Sequence, residues 1–350
     1  MVQYRSGNVA PIEEQEIKSV SHAFVVGVDI GGTNLRLALA AMDGSIVDRW
    51  AASTVGIREP HRIVQMICEG VDALLEKSSA TRGDLRAMAA GAPGITDTDR
   101  GIVIATSYLM GWKDIPLRAL LEAELGVPAF VDNDVNMAAL GEHAAGVAKD
   151  VESFVFLAIG TGVGAGIVLK GELFRGDEWI AGEIGYMLVP GASTAPVESR
   201  QPGALEEIVG GEGIRSHWKK IWSEHGATLP QDATATQIFD RAQEHDPLAR
   251  AVLGLASRTL AYAIYNLSLV LNCPLFVLGG GIGMHPAFGE AVREVVCSLN
   301  PRVQPSVLAS SLGTEAQLTG AVFQAIRIAK TADSSVAIER EALTGLASSD

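Results

Sequence analysis

Five carboxylates, two of them Asp132 and Asp134 with Asn133 and Asn136 at one strand-to-helix handover, stand where their surroundings suit chemistry. Asp29 opens the turn Asp29 to Thr33 (DIGGT) after the apolar run FVVGV, and Asp134 closes the triplet Asp132, Asn133, Asp134 after PAFV. Glu183 (AGEIGYM) and Glu206 (GALEEIVGG) lie in glycine-flanked, apolar surroundings. A carboxylate at the end of a strand can hold Mg²⁺ directly or through water, which is the expectation for Asp29. A carboxylate within hydrogen-bond reach of a hydroxyl can take its proton. An aspartate with a reference pKa of about 3.9 is ionised at pH 7, so in the 132–134 triplet position is expected to matter more than pKa. Asp and Asn also favour helix N-caps, which accounts for one member of that triplet. A buried carboxylate is costly without a donor. Sugar hydroxyls would serve Glu183 and Glu206, and a plain structural acceptor role is the alternative for each.

Three glycine-rich turns follow apolar, strand-like runs. They hold Gly31, Gly32 and Thr33 in the first, Gly160, Thr161 and Gly162 of GTGVGAG in the second, and Gly279, Gly280 and Gly281 of GGGIG in the third. Glycine lets backbone N–H groups approach a ligand, and successive N–H groups form concavities for anions. Three such turns point to a phosphate-rich ligand, with the Thr33 hydroxyl adding a donor and Arg36 read as a solvated strand residue before a phosphate contact. GTGVGA fits the dinucleotide fingerprint, but that fingerprint needs a helix to open at the glycines. The residues that follow, Ile167, Val168 and Leu169, form a β-branched run into Lys170-Gly171, so a hairpin is expected and NAD is set aside. No GxxxxGK[ST] occurs, which removes the P-loop enzymes. The third turn suits the adenosine end of a nucleotide or a plain strand-to-helix turn. The combined reading is a phosphotransferase.

The elements that must position these groups are legible in outline. Residues 24–29 and 35–41 flank the first turn, and SIVDRWAAS follows an Asp-Gly turn, giving a meander of three strands. Ile63, Val64, Ile67, Val71, Leu74 and Leu75 recur at helical spacing, and AMAAGAPG is a small-residue strand. PLRALLEAELG is a helix with Pro116 near its start and Gly126 as its stop. PAFVDND is a buried strand handing over to a helix from Asp134 to Ala145. FVFLAIGTG and AGIVLKGELF then form a second hairpin, EIGYMLV another strand, and 190–203 a polar loop before a mostly helical stretch that includes the buried helix around Leu260 to Leu271. Strand, glycine turn, strand thus occurs twice, in two similar halves.

The chain has 350 residues, 48% of them hydrophobic, and a formal charge of −14, which fits two domains with ample core. The charge and the lack of a basic cluster argue against nucleic acid as partner. They also require any nucleotide to be held by local dipoles and Mg²⁺. Cys68, Cys273 and Cys297 are scattered singly, without a disulfide or CxxC pattern, and no membrane span or leader is read, so a cytoplasmic location is expected.

In order, these segments resemble the ROK family of bacterial sugar kinases and sugar-responsive repressors, within the actin-like ATPase superfamily. The likeness runs from about Phe24 to Ala329 through DIGGTN, GAPG, VDNDVNMAALGE, GTGVGAGIV, AGEIGYM, VLGGGI and SLGTEAQLTGAV. It implies an α/β, two-lobed, ribonuclease H-like fold with the site in the interlobe cleft. The expected divisions are an extension at 1–22, a small lobe at 23–133 plus 313–330, a large lobe at 134–312 and a tail at 331–350. It assigns the base role to Asp134, sugar contacts to Asn133, Glu183, Glu206, the Tyr186 position and the GAPG loop with Gly91, and Mg²⁺ and ATP phosphates to Asp29 and the glycine turns. The implied reaction is phosphorylation of a hexose, glucose first, at the 6-hydroxyl, by a homodimer. No winged helix-turn-helix precedes the first strand, which favours the kinase branch.

Two departures bear on the site. The family's zinc loop, CxCGxxGC with the His of AGExGH, is replaced by GASTAPVESRQPGALE and Tyr186, so no structural zinc is expected. Where the family commonly reads NLPGW, this chain has YLMGW, Tyr108 to Trp112, with Ser107 alongside. Both changes concern sugar choice. A sugar-sensing protein without catalysis, a kinase for another hexose or an N-acetylhexosamine, and polyphosphate as donor stay open.

Overall fold

A computed structural model describes residues 23–106, 109, 111–192, 201–225, 230–300 and 302–346. The strands are β1 (Phe24–Ile30), β2 (Asn34–Ala41), β3 (Ile46–Ser53), β4 (Leu85–Ala92), β5 (Ile95–Asp97), β6 (Ile102–Ala105), β7 (Lys113–Ile115), β8 (Ala129–Asn133), β9 (Phe154–Ile159), β10 (Val163–Leu169), β11 (Glu172–Leu173), β12 (Leu275–Gly279) and β13 (Ser306–Ala309). The helices are α1 (Pro60–Lys77), α2 (Leu117–Leu125), α3 (Asp134–Ala145), α4 (Glu206–Val209), α5 (Gly211–His225), α6 (Ala235–Gln243), α7 (Pro247–Leu271), α8 (Gly280–Gly283), α9 (Pro286–Leu299) and α10 (Ala316–Leu346).

Two sheets share one plan. The first runs β3-β2-β1-β4-β8 and the second β11-β10-β9-β12-β13, each an antiparallel meander extended by two parallel strands. The halves read from the sequence are therefore halves of the fold, and GTGVGAG is a hairpin turn between β9 and β10, as its β-branched continuation predicts. β1 is buried along its whole length, whereas the outer strand β3 alternates between sheltered and exposed residues. The apolar stripe from Ile63 to Leu75 buries α1, and left-handed Gly126 ends α2. The small antiparallel sheet β5-β6-β7 was not foreseen.

Two helices join the halves. Met137 and Leu140 of α3 pack with Leu318 and Val322 of α10 and with Val25 and Ala87 of the first sheet. Ala138 and Ala139 of α3 pack instead with Phe154, Phe156 and Val277 of the second. The crossing is closest at Gly141 and Gly320, where an added Cβ would run into the carbonyl oxygens of Ala316 and Met137 respectively.

Two expectations change. EIGYMLV is not a strand: Ile184–Tyr186 is a 3₁₀ turn following Gly182, whose φ is +99°. Within the segment the Tyr186 and Met187 N–H groups donate to the carbonyls of Glu183 and Ile184, and the Gly185 carbonyl is taken by the Leu205 N–H, which leaves no ladder for a strand. The segment from 331 read as a tail is helical as far as it is described, because α10 continues to Leu346. The extension at 1–22 lies outside the described residues.

The close crossing yields a stability test. Gly320→Ala should cost about 1–3 kcal/mol through overpacking, read as a lower urea midpoint. An unchanged midpoint would show that α3 and α10 can separate freely.

Candidate active site

The cleft between the lobes encloses about 1920 Å³, and its walls include Gly31, Gly32, Asn133, Asp134, Gly160, Thr161, Gly162, Glu183, Tyr186, Glu206 and Gly280. Residues separated by some 250 positions thus meet in one space. Asp29, Thr33, Gly91, Gly279 and Gly281 are not among the lining residues. Tyr108 and Ser107, like residues 193–200 of the zinc-less loop, lie outside the described residues.

The two hairpin turns are built alike. The Gly31 N–H donates to Asn34 O at 2.8 Å, and the Gly160 N–H to Gly162 O at 3.0 Å. These donors close the turns, so phosphate binding there would rest on the N–H groups of Gly32, Thr33, Thr161 and Gly162. The Thr33 hydroxyl is exposed and accepts from Asn34 Nδ2 at 3.1 Å. At the third turn a Cβ on Gly279 would strike the Phe156 ring, and one on Gly280, whose φ is +77°, the Ile159 carbonyl. Close packing against β9 is reason enough for glycine there. Gly91 likewise is a contact position, with Asp134 Cα 3.3 Å from where its Cβ would lie.

Arg36 is not a solvated strand residue. Antiparallel register sets it opposite Asp29, and its Nε and Nη2 donate to Asp29 Oδ2 at 2.9 and 2.5 Å, with Nη2 also reaching Gln317 Oε1 at 3.2 Å. Burial pushes the Asp29 carboxyl above its ordinary value, against the opposing pull of Arg36.

The triplet divides its labour. Asp132 is buried, with Oδ1 accepting from Asn136 Nδ2 at 2.9 Å and Asn133 N at 2.7 Å, and Oδ2 accepting from Arg175 Nε and Nη2 at 2.9 and 2.7 Å. Asn133 caps α3: its Oδ1 accepts from the N–H groups of Val135 and Asn136, while its Nδ2 donates to Gly94 O at 2.9 Å. One amide hydrogen remains for a ligand. Asp134 is the member whose carboxyl is left to the cleft.

That carboxyl corrects the sequence expectation. Burial, with added repulsion from Asp29 and then Glu183, pushes Asp134 up to about 7, despite an opposing hydrogen bond from the Val135 N–H. It is half-protonated near neutrality, so pKa matters as much as position.

Glu183 and Glu206 are half-buried, and both carboxyls are raised, first by burial; Glu206 adds repulsion at Glu183. Glu206 Oε2 accepts from Val163 N at 2.7 Å, directly after the second turn, so the structural role weighed for it is real. Tyr186 is 50% exposed beside both, and burial and then their charges push its hydroxyl up.

Among the described residues no group of three His, Cys, Asp or Glu could hold a metal. The donors fit Mg²⁺ even so, because that ion commonly takes one or two carboxylates and completes its shell with water and phosphate. Asp29 repels the Asp134 carboxylate, and Arg36 occupies only one Asp29 oxygen, which leaves the other for a cation or its water.

Arg175, Gln317 and the α5 residues Arg215 and Lys219, the last two lining the cleft with Gln317, were not foreseen. Arg175 lies 43 residues from its partner and left no local signal. Arg215 and Lys219 had one, since they repeat at the helical spacing of four.

Paired sheets of matching topology around a cleft with glycine hairpins define a two-lobed actin-like ATPase fold. The ROK family profile matches residues 25–328, and the chain belongs to that family. The glucokinase of Halalkalibacterium halodurans is 34% identical over 270 residues, 75% of this chain and 82% of that one. The ROK hexokinase from Thermus thermophilus superposes with a TM-score of 0.75 at 28% identity, covering 88% of this chain and 99% of that one. A ROK glucokinase from Streptomyces griseus, in complex with glucose and AMPPNP, gives 0.71 at 26% identity over 87% and 100%. The protein is a sugar kinase.

Asp134 sets two pH tests. If its ionised form is required, kcat/KM should rise about tenfold per pH unit below 7 and level off above, since the free carboxyl titrates at about 7. A flat profile from pH 5.5 to 8 would exclude that requirement. Because the folded pKa exceeds the unfolded one, the folded chain binds the extra proton, and this group's contribution to stability is lost as pH rises from about 4 to 7. Asp134→Asn should therefore stabilise the fold at pH 8, by up to about 4 kcal/mol, and have little effect at pH 4.

Proposed function

We propose that this kinase transfers the terminal phosphoryl group of ATP to the 6-hydroxyl of a hexose, glucose foremost, with Asp134 as general base. The supporting observation is the convergence of Asp134, Glu183 and Glu206 with both hairpin turns on one cleft. Asp134 accepts the proton of the sugar hydroxyl as that oxygen bonds to the γ-phosphorus, the bond to the β-phosphate oxygen breaks, and ADP leaves. Glu183 and Glu206 receive other sugar hydroxyls, and the remaining Asn133 amide hydrogen donates to one. N–H groups of Gly32, Thr33, Thr161 and Gly162 face phosphate oxygens. Mg²⁺ near Asp29 would supply charge neutralisation on those phosphates. Closure of the lobes would exclude water and suppress ATP hydrolysis.

General-base assistance is worth roughly 10² to 10⁴ in rate. Asp134→Asn should keep most of the ATP affinity and lose at least about a hundredfold in turnover, measured by coupled ADP release over a panel of hexoses and N-acetylhexosamines with ATP and Mg²⁺. A fully active variant would remove Asp134 from the scheme. Sugar binding without ADP release in the wild type would replace the kinase with a sensor.

A further inference from the structure

The cleft is electrically lopsided. Asp134, Glu183 and Glu206 line it, with Asp29 buried close enough to shift Asp134, yet the chain's formal charge of −14 already opposes a nucleotide. The α5 wall, which also presents Glu212, is where two of the lining cations gather, Lys113 being the third. Arg215 and Lys219 follow Gly211 at four-residue spacing, which sets all three on one helical face, and both cations line the cleft.

That face begins where the second and third turns meet. The Gly211 N–H donates to Gly160 O at 2.9 Å, and Ile282 Cδ1 lies 3.2 Å from where a Gly211 Cβ would be. Helical side chains lean toward the helix N-terminus, so Arg215 and Lys219 lean back toward both turns. Their bonding is incomplete. Arg215 Nη1 donates to Glu212 Oε1 at 2.8 Å, but its Nε is buried with no acceptor among the described residues. Lys219 is exposed and makes no ion pair with any described residue. A buried N–H without an acceptor is costly unless a ligand supplies one.

We propose that Arg215 and Lys219 bind the phosphates of ATP that are not transferred, making α5 the donor wall of the cleft. This rests on the kinase reading. The two cations offset at short range the repulsion that the acidic chain exerts on a nucleotide, and the acidic side of the cleft is left to the sugar.

The test is ADP binding by isothermal titration calorimetry, with donor and hexose KM values measured on the same proteins. Lys219→Ala, at an exposed position, should weaken ADP about 5- to 20-fold and raise the ATP KM comparably. The hexose KM should move less than about twofold, and the salt dependence of ADP binding should flatten. Lys219→Arg should recover most of the affinity, and Arg215→Gln should act in the same direction as Lys219→Ala. Unchanged ADP affinity and salt dependence in the double variant Lys219→Ala, Arg215→Gln would overturn the proposal and leave the kinase reading standing. A wild type that neither binds ADP nor turns over would overturn both.

Discussion

A carboxyl group held out of water beside a second one governs this site. Asp134 is the first residue of α3, where the helix dipole and the Val135 N–H favour an anion, yet burial and the neighbouring Asp29 outweigh them and leave the group near neutrality. Free energy is thus stored in the ionised form until something positive or hydrogen-bonding arrives. A hydroxyl delivered to that carboxyl, or a cation near Asp29, lowers the cost of its charge. A ligand therefore changes the chemistry of this carboxyl, and Arg36, paired to one oxygen of Asp29, keeps the second carboxylate from adding a still larger penalty.

Placing that carboxyl requires a fixed helix, and α3 is pinned from both ends. At its start Asp132 accepts from Arg175, which lies beyond β11 and so ties the first sheet's last strand to the second half of the chain. Near its end the fully buried Glu142 accepts from the Ser310 hydroxyl, the Leu312 N–H at 3.1 Å and the Val147 N–H at 2.9 Å. Buried charges add little net stability, but removing one partner leaves the other uncompensated. Such contacts fix an arrangement more than they strengthen it. Glu142 grips the segment leading into α10, so the two crossing helices are joined by side-chain bonds as well as by the contact at Gly141 and Gly320.

What could be read from the sequence was what is local. Asp29 to Thr33 and Gly160 to Gly162 declare hairpins because the residues on either side alternate or branch like strands, and Gly126 declares a helix end because few other residues accept its conformation. The 3₁₀ turn at Ile184–Tyr186 was misread because IGYML is apolar enough for a strand, whereas the deciding fact is a distant one, the Leu205 N–H on the Gly185 carbonyl. Arg36 was misread because its partner depends on strand register. The Asp134 pKa was misread because composition names a residue type and says nothing of its burial. The cationic face of α5 becomes a wall only once Gly211 is seen against Gly160.

The repeated plan also explains why the halves can divide the work. Register places Gly91 beside Asp29 in the first sheet and Gly279 beside Ala158 in the second, so those glycines occupy matching positions, each next to a hairpin turn. Across the hairpins, Asp29 faces Arg36 where Ala158 faces Gly164. The helices that follow the last strand of each sheet, α3 and α10, are the two that cross, each offering a glycine to the other. The first turn has an ion pair across its own strands, whereas the second has small neutral residues in those positions, with Glu206 on the Val163 N–H and the cations on α5. A symmetric pair of turns would present two like surfaces to an unsymmetrical ligand. Unlike turns on one cleft suit a ligand whose two ends differ, and the crossing of α3 and α10 holds the halves that carry them together.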